Sequence, residues 1–121
     1  MGLSVYGYVG KEVEVEEVIR RISQVTGSKV DNHTRLIEGE VSGYLHFKCD
    51  DFERKMFYCM QEGTVGQFDR IDSKLHVGLM LGKVSGGAKL MQKIVAGFGG
   101  YLLVDQVDGE QDVTYVEKVG G

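Results

Sequence analysis

Residues 75–104 read LHVGLMLGKVSGGAKLMQKIVAGFGGYLLV, and this stretch decides the fold. Leu75 to Gly82 is an apolar run of strand length. Gly82-Lys83 turns the chain, and Ser85 stands where a side chain can cap a helix. Leu90, Met91, Ile94, Val95 and Phe98 recur at helical spacing and form one apolar face, with Lys89 and Lys93 on the wet face. Gly99-Gly100 stops the helix, and Tyr101 to Val107 returns as a strand. The stretch therefore reads as strand, helix, strand. It holds no acidic side chain, although the chain as a whole carries a net charge of -4.

Upstream, Leu3 to Val9 alternates two-fold and is apolar on both faces, which predicts a central strand. Glu12 to Thr26 predicts a helix whose stripe is Val15, Val18, Ile19, Ile22 and Val25. Its glutamates precede Arg20 and Arg21, the order that suits the helix dipole, and Gly27 ends it. Ser28 to Thr34 is polar and reads as a loop. Leu36 to Val41 and Gly43 to Cys49 read as one long strand bent at a bulge at Gly39 or Gly43. Phe52 to Gln61 fits either period, and Met56 to Cys59 tips it towards a strand pairing back on Tyr44 to Cys49. Glu62 to Lys74 reads as a long surface loop. Downstream, Val113 to Val119 is the return strand of a hairpin that turns at Asp108-Gly109.

Two helices with one apolar stripe each, in a strand-rich chain, predict an α+β two-layer sandwich. Both helices would lie on one face of a mixed or antiparallel sheet of five to six strands, a ferredoxin-like core with additions. A length of 121 residues predicts one domain, 1–121. With eighteen glycines and no proline, the turns fall to Gly, Asn and Asp.

The acidic balance opposes direct nucleic-acid binding, which needs clustered Lys and Arg. Cys49 and Cys59 are too few for a disulfide scaffold and read as reduced thiols of a cytoplasmic protein. The start, MGLSVYGYVG, lacks a basic region followed by an apolar one, and no apolar run reaches membrane-spanning length. The expectation is a cytoplasmic chain with no membrane association.

GLMLGKVS, from Gly78 to Ser85, matches a phosphate loop only in part. Three residues, not four, separate its glycines, and Val84 follows Lys83 where Ser or Thr is needed. That excludes a nucleotide hydrolase. An anion site at the helix start survives, formed by Lys83, Ser85, Gly86 and Gly87. His46 and Cys49 fall on opposite faces of a strand, so no metal site is predicted. No Cys–His or Ser arrangement has the elbow or helix-start setting of a nucleophile, so no catalytic residue and no cofactor are predicted.

Asp105, Asp108, Glu110 and Asp112 make an acidic hairpin without calcium-loop spacing. Tyr6, Tyr8 and Tyr44, with Tyr58 and Tyr101 as further members, are expected on the sheet face away from the helices. These features predict a non-enzymatic protein-binding module of the small acidic inhibitor, immunity or phage-accessory type. It would take a basic protein partner or self-associate. The alternative prediction is a binder of a small phosphate-bearing anion at the helix start that follows Lys83.

Overall fold

A computed structural model describes residues 5–10, 12–37, 40–60, 75–81, 86–105 and 109–119. Among these residues, seven strands and two helices follow in the order β1 (Val5–Gly10), α1 (Val15–Thr26), β2 (Asp31–Ile37), β3 (Glu40–Cys49), β4 (Phe52–Met60), β5 (Leu75–Leu81), α2 (Gly87–Val95), β6 (Gly100–Asp105) and β7 (Gln111–Val116). All strands join one antiparallel sheet in the order β2-β3-β4-β5-β1-β6-β7. The chain starts in the middle of the sheet and crosses under α1 to the far edge. It then meanders back to lie beside β1, and α2 carries it over β1 to β6.

This is an α+β architecture, and it corrects the expected sheet of five to six strands to seven. The additional strand is β2. Asp31 to Thr34, read as loop, pair with Gly43 to His46, and Leu36 and Ile37 pair with Val41 and Glu40. The supposed single bent strand is therefore an antiparallel pair. Gly43 sits in unbroken register, with no bulge. Phe52–Met60 is a strand that pairs back on β3, from Cys49↔Phe52 to Val41↔Met60. The Glu62 to Lys74 stretch lies outside the described residues.

Register fixes what each sheet face carries. Val5, Gly7 and Val9 oppose Leu81, Leu79 and Val77 on one side and Val104, Leu102 and Gly100 on the other. Continuing outward, Leu81 opposes Met56, which opposes Leu45. These side chains form one core with Val15, Val18 and Ile22 of α1 and Leu90, Met91, Ile94 and Val95 of α2. Each fully buried aliphatic side chain contributes about 1.5–3 kcal/mol. Gly7 is the point of closest approach: a Cβ there would stand 2.7 Å from Val95 Cγ2 and 2.8 Å from Met91 Sδ, so α2 can seat directly on β1.

α1 begins at Val15, three residues later than the sequence suggested. The Glu17 carboxylate accepts a hydrogen bond from the Glu14 N–H at 2.9 Å, which fixes the first turn. Gly27, at φ 71, ends it by donating its N–H to the Ser23 carbonyl at 2.8 Å. No helix among the described residues is long and apolar enough to cross a membrane.

Candidate functional site

The start of α2 opens into a cleft of about 220 Å³. Its walls come from three directions. Val25 and Thr26 end α1, Asp50 stands in the β3–β4 turn with Arg54 following on β4, and Gly86, Lys89 and Lys93 lie along α2. Arg54 is the side chain that sets this cleft apart. It shares the helix-facing side of β4 with Met56 and Tyr58, opposes Phe47, and is only 7% exposed. Its Nε and Nη1 atoms are shielded from solvent.

Among the described residues, three cationic side chains, Arg54, Lys89 and Lys93, line the cleft against one carboxylate, Asp50. This local surplus of positive charge stands in a chain whose net charge is -4. The helix end adds to it. Gly86 occupies the N-cap position in the left-handed conformation, φ 79, and makes no side-chain capping bond. The first bond along the helix runs from the Leu90 N–H to the Gly86 carbonyl at 3.0 Å, so the N–H groups of residues 87–89 precede the α2 ladder. An acceptor placed there meets N–H donors, the positive end of the helix dipole and a guanidinium held in a low-dielectric wall. The neighbouring hydroxyl is otherwise engaged: Thr26 Oγ1 donates to the Ile22 carbonyl at 2.8 Å and accepts from the Ser28 N–H at 3.2 Å.

Of the residues assigned to an anion site from sequence, Gly86 lines the cleft and Gly87 is the first residue of α2. The cap position falls on Gly86, one residue after the expected Ser85. Lys83 and Ser85 themselves lie outside the described residues. Sequence reasoning missed Arg54. The signal was available: two-fold alternation from Met56 and Tyr58 puts Arg54 on the inward face, where a cation is unusual.

The residues assigned to a protein partner do not gather on one surface. Tyr6, Tyr8 and Asp105 share the face away from the helices at β1 and β6. Tyr8 is 9% exposed and packs with the fully buried Leu103. Its hydroxyl pKa is pushed up, first by burial and then by the nearby Tyr6 and Asp105. Tyr44 is on the same face but on β3, with β4 and β5 between it and β1, a separation of about 14 Å. Asp112 opposes Val104 and so belongs to the helix side of β7; Glu110 is exposed in the turn. Asp108 lies outside the described residues. Tyr58 is a correction: it faces the helix layer, 3% exposed, and its hydroxyl donates to Asn32 Oδ1 at 2.8 Å.

His46 and Cys49 stand on opposite faces of β3, and among the described residues no group of three His, Cys, Asp or Glu side chains could hold a metal ion. No family model, curated protein or solved structure matches this chain.

Proposed function

We propose that the protein binds a small anionic ligand, one bearing a phosphate or carboxylate group, in the cleft at the start of α2. The observation that carries this reading is the side chain of Arg54, 93% buried by its 7% exposure, in the wall of a cleft that also holds Lys89, Lys93 and the helix start. An acceptor that reaches the guanidinium from the cleft side would receive a charge-assisted N–H bond, and water exclusion strengthens such a contact. The cleft volume of about 220 Å³ suits a ligand of metabolite size rather than a polymer. Asp50 on the rim favours ligands that carry a donor beside their anionic group. An acidic inhibitor surface draws less support, because Tyr44 stands apart from Tyr6 and Tyr8 and Asp112 belongs to the other side of the sheet.

The fold reading that accompanies this is a ferredoxin-like core formed by β1-α1-β4-β5-α2-β6. The sheet order β6-β1-β5-β4 and its antiparallel pairing support it, with the β2–β3 pair and β7 as additions.

Titration calorimetry with inorganic phosphate, pyrophosphate and a sugar phosphate tests the ligand reading. Binding that weakens at least tenfold in Lys89→Glu and in Arg54→Lys supports it, since Lys cannot reproduce the planar fork. Lys89 is exposed, so its reversal leaves the core intact. Undetectable binding of all three anions by the wild-type chain, or equal binding by the variants, overturns it.

A further inference from the structure

We propose that the face of β2, β3 and β4 that points away from the helices is the interface of a homodimer, with its twofold axis running along β3. This face lies on the other side of the sheet from the ligand cleft, so the two readings stand or fall separately.

An aromatic run crosses the three strands. His33 stacks on Tyr44 with ring centres 4.4 Å apart and planes 15° apart, and Tyr44 meets Phe57 at 6.0 Å in a tilted arrangement. The three residues are direct register partners, His33↔Tyr44↔Phe57. Phe57 is 46% exposed, unlike the core-facing Met56 and Tyr58 beside it. The next row along the same face is Asp31↔His46↔Lys55, and beyond it Lys48 opposes Glu53. Lys55 Nζ lies 4.8 Å above the Tyr44 ring, and His46 Nε2 lies 3.7 Å from Glu53 Oε2.

Charge identifies the occupant. Among the described side chains of this face, Asp31 and Glu53 balance Lys48 and Lys55. A nucleic acid would need a surplus of cations. A strongly charged protein would need one sign to dominate. A patch with both signs in equal number and an aromatic centre complements itself, the requirement of an isologous interface.

The register then dictates the geometry. A twofold axis parallel to the strands keeps every residue at its own height and exchanges β2 with β4. Over β3, it brings Tyr44 against Tyr44 of the second copy, His33 against Phe57, and Asp31 against Lys55 at both ends of that row. Aromatic contacts fill the centre and two opposite-charge pairs flank it. Lys48 falls at the end of β3, where two twisted sheets packed face to face diverge.

Sedimentation equilibrium of the full chain tests the proposal. The wild-type chain is expected at twice the monomer mass at about 100 µM, with Phe57→Asp reverting to monomer. Asp31→Lys alone and Lys55→Asp alone are expected to weaken the dimer roughly tenfold each, and the two together to restore it. Asp31 and Lys55 are both exposed, so these reversals leave the core intact, and circular dichroism checks the fold of every variant. A wild-type monomer at that concentration overturns the proposal. So does a dimer indifferent to Phe57→Asp, or a charge swap that fails to restore association. Binding of a single-stranded oligonucleotide by a monomeric wild type, lost in Phe57→Asp, would assign the face to nucleic acid instead.

Discussion

The hydroxyl of Tyr58 lies 2.7 Å from the hydroxyl of Thr34, although strand β3 runs between their strands. The residue that separates them in register is Gly43, Thr34↔Gly43↔Tyr58, and its missing side chain lets the phenol lie across β3. The Tyr58 hydroxyl donates to Asn32 Oδ1 at 2.8 Å, so the edge strand β2 is tied to β4 as well as to its neighbour. Tyr58→Phe is expected to cost about 1 kcal/mol, because Asn32 and Thr34 at the edge regain water. Gly43→Ala is expected to cost more, about 2 kcal/mol, since the new methyl would overlap the His33 carbonyl oxygen and push β2 off the sheet. Urea unfolding curves for both variants decide this. If Gly43→Ala unfolds with the wild-type midpoint, the close approach of β2 and β3 is wrong.

β2 also shows where sequence reading stops. Both helices were legible because each buries one stripe, and residues 75–104 were read with boundaries close to those observed. β2, with the sequence DNHTRLI, escaped because an edge strand need not be apolar on either face: residues 31–34 are exposed, and its inward polar groups bond to Tyr58. Tyr58 was grouped with the outward tyrosines, although its parity with Met56 places it inside. Arg54 was lost for a related reason. FERKMFYCM fits helix and strand alike, and only the strand period reveals that its arginine points inward. The glycines Gly86 and Gly87 mark the start of α2 in the sequence, while the cations that line the cleft beside it come from elements far apart in the chain, which spacing cannot show.

The two helices are joined by a cap that local sequence does not provide. Arg21 on α1 donates from Nε at 3.0 Å and Nη2 at 2.7 Å to the carbonyl oxygen of Lys93 near the end of α2. The cation meets the negative end of the helix dipole, worth about 1 kcal/mol at a surface position. Gly97 makes room for it, since a Cβ there would come within 2.6 Å of Arg21 Cδ and Nε. Arg21→Ala and Gly97→Ala should therefore destabilise through the same contact, and the double variant should cost clearly less than the two combined. Strict additivity in a double-mutant cycle would show that Gly97 does not serve Arg21.

The β3–β4 hairpin turns through Asp50 at φ 53 and Asp51 at φ 67, between the paired residues Cys49 and Phe52. Two central residues with positive φ define the primed turn that matches strand twist, for which Asn-Gly is preferred. Left-handed backbone costs a residue with a Cβ about 1 kcal/mol, and adjacent carboxylates repel. Asp50→Asn with Asp51→Gly is expected to stabilise the chain by about 1 kcal/mol, near 4 °C in Tm for a domain of this size. Asp51→Val should destabilise it, as a branched side chain tolerates positive φ poorly. Thermal melts of both variants check the opposite signs.

Tyr8 makes stability sensitive to alkali. Burial, reinforced by Tyr6 and Asp105, raises its folded-state pKa above the ordinary value near 10. Below that value both folded and unfolded chains hold the proton, and Tyr8 adds no pH dependence. As pH rises past about 10, the unfolded chain releases the proton first, so the folded state binds more protons and stability falls. Tyr8→Phe should flatten this alkaline limb while leaving the neutral-pH slope unchanged, and tyrosinate absorbance should show one hydroxyl fewer titrating late. Asp105→Asn should shift the limb less, because Asp105 ranks behind burial and Tyr6 among the causes. Stability curves of the three chains at neutral and alkaline pH measure the effect, and an alkaline limb unaltered in Tyr8→Phe would assign it to another group.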